Sequence, residues 1–135
     1  MTCRFDEDVV LAKASHVGRA VATIRSLAGP GRASLEEWIR DDVTVLNLQR
    51  AVEALLDLAN HLIAANAWEL PRDGRHAFRI LREHGLLTDP ELKLAAAMVG
   101  FRNVAVHDYA SLDVEVVRGI ARDRLDDLES LVASL

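Results

Sequence analysis

Val45-Leu-Asn-Leu-Gln-Arg-Ala-Val-Glu-Ala-Leu-Leu-Asp-Leu-Ala-Asn-His-Leu62 is the stretch that decides the fold. Val45, Leu48, Val52, Leu55, Ala59 and Leu62 recur at spacings of three and four, the period of one helix face. Leu46, Leu56 and Ile63 widen that stripe. A helix apolar over so much of its girth belongs inside a bundle or at a seam between two copies. Asp41-Asp42 offers it an N-cap, and the pattern runs to Trp68 before Pro71 breaks it.

Outward from this helix the same period repeats. On the N-terminal side, Val9, Val10, Lys13, Val17, Ala20, Val21, Ile24 and Leu27 predict a helix from about Asp6 to Ala28, ended by Gly29-Pro30-Gly31. Ser34-Leu35-Glu36-Glu37 reads as a capping box opening a short helix through Trp38 and Ile39. On the C-terminal side, Asp73 caps a short helix that ends near Gly85 and turns Ala77, Phe78 and Leu81 inward. Asp89-Pro90-Glu91 supplies an N-cap, a first-turn proline and a first-turn acid for the next long helix. Asp113 caps a last helix with Val117, Ile120, Leu128, Leu131 and Leu135 inward. No stretch reads as a strand. The expectation is an all-α domain over residues 1–135, an antiparallel bundle of four long helices plus short ones.

Composition narrows the function classes. A chain of 135 residues, half of them apolar and 27% charged, matches one globular domain with a proper core. No apolar run reaches the roughly 18–20 residues that span a bilayer, so no membrane role is expected. The opening Met1-Thr-Cys-Arg-Phe-Asp-Glu-Asp8 lacks the basic start and apolar run of a signal peptide, and Cys3 is the single cysteine. Both features lead to the expectation of a cytoplasmic protein. A net charge of −5 argues against bulk coating of nucleic acid but leaves room for local grip by a few arginines. Only Lys13 and Lys93 are lysines, and arginine is the better phosphate fork.

The chemistry-bearing residues gather in Phe101-Arg-Asn-Val-Ala-Val-His-Asp-Tyr109, where an arginine, an amide, a histidine, a carboxylate and the only tyrosine interrupt a core pattern. Leu92, Ala95, Val99, Arg102 and Val106 form a three-four stripe, which places Arg102 where an apolar residue is expected and calls for a partner or a ligand anion. Asn103 and His107 share a face. Arg102 and His107 are five apart, roughly 140° around an ideal helix, so they converge only if the helix loosens near His107 or a second subunit completes the site. The set suits RNA phosphodiester cleavage without metal. Histidine can move the 2′-OH or leaving-oxygen proton, arginine can stabilise charge on the phosphorane, and Asn103 can orient either. His107 and Asp108 point different ways, and His61, His76 and His84 lie on other helices, so no metal set and no cofactor are expected. An arginine and a histidine near a helix end also serve as capping and ion-pairing groups, and the residues alone leave both readings open.

The segment Arg102-Asn-Val-Ala-Val-His107-Asp-Tyr109 resembles the motif of HepT-like toxins in the HEPN superfamily: arginine, four residues, histidine, any residue, tyrosine. The likeness extends to Ser34-Leu-Glu-Glu37, Asp57-Leu-Ala-Asn-His-Leu-Ile63, the run-up Met98-Val-Gly-Phe-Arg-Asn103 and the closing Asp126-Asp-Leu-Glu129. It implies a homodimeric, metal-independent endoribonuclease, the toxin of a type VII-like toxin–antitoxin pair, acting on tRNA or other RNA. Arg102 and His107 would be catalytic in a cleft between subunits, with Asn103 and Asp108 in support. A minimal nucleotidyltransferase antitoxin would silence it by adding AMP to Tyr109. The alternative is a non-catalytic helical partner subunit of such a nucleotidyltransferase, which would bind the same partner but leave RNA intact.

Three further features carry two readings each. Arg75, Arg79 and Arg82 form one basic helix face, an RNA or antitoxin contact or a solvated surface. Asn60-His61 either extends the cleft or forms a satisfied polar pair in the core. Trp38 and Trp68 are expected as core or interface anchors rather than base-stacking platforms.

Overall fold

The computed structural model describes residues 3–27 and 36–135, and among these every regular element is helical. The first helix, α1 (Glu7–Ser26), starts at Asp6, whose carboxylate accepts the Asp8 and Val9 amides at 2.9 and 3.5 Å. The expected terminator Gly29-Pro30-Gly31 and the Ser34-Leu35 half of the capping box lie outside the described residues.

One correction concerns the decisive helix. It is not a short helix followed by a long one but a single helix, α2 (Glu37–Ala65). Asp41 and Asp42, expected as an N-cap, sit inside it because their carboxylates bind groups far along the chain, Arg118 and Tyr109 respectively. Thirteen of its 29 residues are buried, from Thr44 to Ile63. It ends in a Schellman turn, with Ala67 at φ 55° and the Trp68 amide bonded to the Ile63 carbonyl at 3.0 Å.

Asp73 caps α3 (Gly74–Glu83) as expected, accepting the His76 amide at 2.8 Å. That bond holds the Asp73 carboxyl below the usual carboxylate range. Gly74 lets α3 start close to its neighbours, since a Cβ there would meet Leu56 Cδ2 at 2.9 Å and Val99 Cγ1 at 3.2 Å. This helix closes with a second Schellman turn at Gly85 (φ 79°), and the His84 ring stacks on Trp68 with centroids 3.8 Å apart. Trp68 is thus a packing anchor, whereas Trp38 is 62% exposed and is not part of the core.

The next helix, α4 (Asp89–His107), is capped one residue earlier than expected. Thr88 and Glu91 form a reciprocal capping box, with Asp89 and Pro90 as the first helical residues. Its buried face is Leu94, Ala95, Met98, Val99, Phe101 and Ala105. The helix is therefore rotated from the expected stripe, Val106 is 42% exposed, and Arg102 stands at the edge of the core.

A 3-10 turn (Tyr109–Ser111) leads to α5 (Val114–Asp123), capped by Asp113, and then to α6 (Leu125–Ser134). The expected single last helix is broken at Arg124 (φ −119°, ψ 0°). The break lets α5 pack on α2, where Arg118 meets Asp41 and Glu37, while α6 turns onto α1, where Arg25 meets Asp126 and Glu129. The fourth long element of the bundle is this pair of helices. Both α1 and α4 run antiparallel to α2: Asp6 and Lys13 meet His61 and Asp57, and Arg102 and Tyr109 meet Glu53 and Asp42. No helix among the described residues is long and apolar enough to cross a membrane.

The two Schellman turns give a paired test. A Cβ at Gly85 would touch nothing within 4 Å, so Gly85→Ala isolates the cost of a left-handed alanine, about 1 kcal/mol. Ala67→Gly relieves the same strain and should raise stability by up to about 1 kcal/mol. Urea unfolding midpoints that move in the same direction for both variants would contradict this account.

Candidate functional site

Two stripes run side by side. On α2, Asp42, Leu46, Gln49 and Glu53 fall at i, i+4, i+7 and i+11, one line along the edge of the buried face. On α4 and the turn after it, Arg102, Val106 and Tyr109 form a second line in the opposite direction. Arg102 Nε donates to Glu53 Oε1 at 2.5 Å at one end, and the Tyr109 hydroxyl donates to Asp42 Oδ1 at 2.8 Å at the other. Between these two bonds lie Leu46 and Val106, 45% and 42% exposed, an apolar strip bracketed by polar clasps.

Each motif residue has a distinct setting. The Arg102 side chain is 27% exposed, and its Nη1 also donates to Asn103 Oδ1 at 3.1 Å. Asn103 is exposed and thereby serves the arginine rather than the histidine. His107 is the last residue of α4 and exposed. Asp108 leaves the helical region (φ −150°, ψ 56°), and its carboxylate accepts the Ser111 hydroxyl at 2.7 Å, which fixes the turn that carries Tyr109. The Tyr109 ring is half exposed, and its hydrogen bond to Asp42, with the carboxylate's charge, pushes the phenol pKa upward.

Loosening of the helix does not bring Arg102 and His107 together. The Asp108 amide still bonds the Val104 carbonyl at 2.9 Å, so α4 is regular through His107. The roughly 140° separation therefore stands within one chain.

The basic face divides. Arg75 lies across Gly100 and donates to the Ala96 carbonyl at 3.3 Å, and Arg82 is bound to Asp89 at 2.7 Å. Of the three only Arg82 is ion-paired; Arg75 and Arg79 are exposed without an ion pair among the described residues, Arg75 being tethered to a backbone carbonyl. His61 is a satisfied group, accepting the Asp6 amide at 2.8 Å, but Asn60 is exposed, so the two are not a core pair.

Sequence reasoning passed over Glu53 and read Asp42 only as part of an N-cap. Their signal was present: polar residues in register along the edge of an otherwise apolar helix. Their partners, 49 and 67 residues away, were not readable from spacing.

A family model described as "Ribonuclease HepT-like" matches residues 17–135. The mRNA nuclease HepT of Shewanella oneidensis is 32% identical over 125 residues, spanning 93% of this chain and 94% of that protein. A crystal structure of a toxin–antitoxin with AMP-PNP superposes at TM-score 0.86 and 30% identity, covering 95% of this chain and 97% of that one. The tri-AMPylated Shewanella oneidensis HEPN toxin, in complex with MNT antitoxin, superposes at TM-score 0.86 and 31% identity, covering 96% and 97%.

Tyr109 is the only tyrosine, so ultraviolet titration of phenolate reads it alone. The folded protein should titrate above the ordinary value of 10, and Asp42→Asn should lower the midpoint towards it. Phenol ionisation breaks the bond to Asp42, so its stabilisation holds below the unfolded phenol's pKa and fades as pH rises through the folded one. A midpoint unmoved by Asp42→Asn would refute the clasp.

Proposed function

Since this chain belongs to the HepT-like ribonuclease family, we propose that it is the RNA-cleaving toxin of a toxin–antitoxin pair, acting in the cytoplasm. The observation that carries this reading is Arg102, His107 and Tyr109 in motif register on one helix end, with Arg102 anchored by Glu53 and presented at the surface. His107, free of side-chain partners among the described residues, takes the proton from a ribose 2′-OH or delivers one to the leaving 5′-oxygen. The 2′-oxygen attacks phosphorus, the P–O5′ bond breaks, and a 2′,3′-cyclic phosphate and a 5′-OH result. Arg102 faces the non-bridging oxygens as charge builds on them. No step in this scheme requires a metal.

A homodimer completes the site. One regular α4 holds Arg102 and His107 apart, and the exposed Leu46–Val106 strip beside Arg102 supplies apolar surface for a two-fold seam. The substrate is RNA, messenger RNA being the one named for the Shewanella oneidensis relative and tRNA a second candidate. The silencing partner is a nucleotidyltransferase antitoxin, and the Tyr109 hydroxyl is the acceptor. Its oxygen attacks the α-phosphorus of ATP, pyrophosphate leaves, and the phenolic proton is lost. The half-exposed ring at the end of the stripe supports this role, as does the tri-AMPylated state of the related toxin.

The test uses the chain made without its partner, incubated with tRNA and with messenger RNA in EDTA. Wild type should cut at least one, while His107→Ala and Arg102→Ala lose about 10²–10⁴-fold in rate. Tyr109→Phe should still cut but gain no AMP mass from antitoxin and ATP. Equal cleavage by His107→Ala would overturn the catalytic assignment, and an unmodified wild type that cuts nothing would favour a non-catalytic partner subunit.

A further inference from the structure

The ion pair between Arg102 and Glu53 has a directional consequence. A guanidinium can meet a phosphate side-on through Nε and Nη2, or end-on through Nη1 and Nη2. Glu53 Oε1 occupies Nε at 2.5 Å, and Asn103 Oδ1 takes one Nη1 hydrogen at 3.1 Å. The side-on edge is therefore taken at Nε, and Nη2, which has no hydrogen-bond partner among the described residues, leaves the end-on edge to a phosphate. Glu53 also walls a groove of about 500 Å³ between α1 and α2, whose lining includes His16, Arg19 and Arg50. None of these three has an acidic partner among the described residues. Two carboxylates line this groove; Asp57 is paired with Lys13, and Glu53 is the one that also binds Arg102.

We infer that Glu53 is a positioning residue for RNA cleavage, which fixes the edge that Arg102 presents and keeps that arginine from spending its charge on the ground state; this rests on the ribonuclease reading above. A phosphodiester carries one negative charge and its phosphorane about two. An arginine already neutralised by a carboxylate gains little from the first and more from the second, and only that difference accelerates cleavage. Loss of the Glu53 charge therefore frees Arg102 to rotate and removes one of the two carboxylates from the groove that Arg19 and Arg50 line. Both changes favour RNA held tightly in unproductive geometry. The pair is partly exposed, with side chains 27% and 41% accessible, so its removal costs the fold little.

The experiment compares wild type, Glu53→Gln and Glu53→Asp as full chains without antitoxin, each with a confirmed thermal melt. Glu53→Gln should lower kcat about 10²-fold without raising KM. It should also bind a 2′-O-methyl RNA oligonucleotide, which has no nucleophile, more tightly, with a log–log salt slope steeper by about 0.7. Glu53→Asp should recover part of kcat. An active wild type matched in kcat by Glu53→Gln overturns this inference alone, as does a loss of kcat with weaker oligonucleotide binding. A wild type that cuts no RNA overturns the ribonuclease reading and this inference with it.

Discussion

The enclosure of α2 is the constraint from which the rest of the structure follows. With buried residues spread around most of its girth, it must be covered by α1, α3, α4 and α5, each burying part of that surface. A fully buried leucine or valine contributes on the order of 1.5–3 kcal/mol, so Leu48, Val52, Leu55, Leu58 and Leu62 outweigh any surface ion pair. The carboxylates of α2 do a different job. Asp57 meets Lys13 of α1, Glu53 meets Arg102 of α4, Asp42 meets Tyr109 of the turn, and Asp41 meets Arg118 of α5. Worth little individually, together they set where α1, α4 and α5 lie along the central helix.

That registration places the motif residues to which the proposed chemistry is assigned. Arg102 and Tyr109 are held at two points of one stripe because Glu53 and Asp42 stand eleven residues apart on the facing helix. His107 receives no such anchor and ends α4 facing outward. A group that must exchange protons with a substrate benefits from that freedom, and a group that must present charge in one direction benefits from being held.

The sequence made the helical class, the start of α1 near Asp6, the Asp73 and Asp113 caps and the inward faces of α1 and α3 legible, because these depend on residues within a turn or two of each other. The α4 cap was misplaced by one residue for a local reason, the Thr88–Glu91 box, but the larger failures came from distant partners. Asp41-Asp42 looked like a cap because acids before an apolar run usually are, yet Arg118 and Tyr109 claim both carboxylates. The last helix looked continuous because its apolar spacing is continuous, yet α5 and α6 answer to different neighbours. The motif was readable as a cluster, and the ribonuclease family follows from it. Its electrostatic frame, Glu53 and Asp42, was not, since one sequence does not record which face meets which.

The proposed silencing also has a physical form on this stripe. Tyr109 with its oxygen joined to phosphorus has no proton to donate, so its bond to Asp42 is lost. The phosphate then stands beside the Asp42 carboxylate, which repels it, while Asp41 is neutralised by Arg118. Arg102 lies on the same stripe about 10 Å away along the axis, close enough for a nucleotide to bridge. On that proposal, repulsion from Asp42 and attraction to Arg102 would favour an AMP lying across the Leu46–Val106 strip. A modification so placed would compete with RNA by charge and by volume at once.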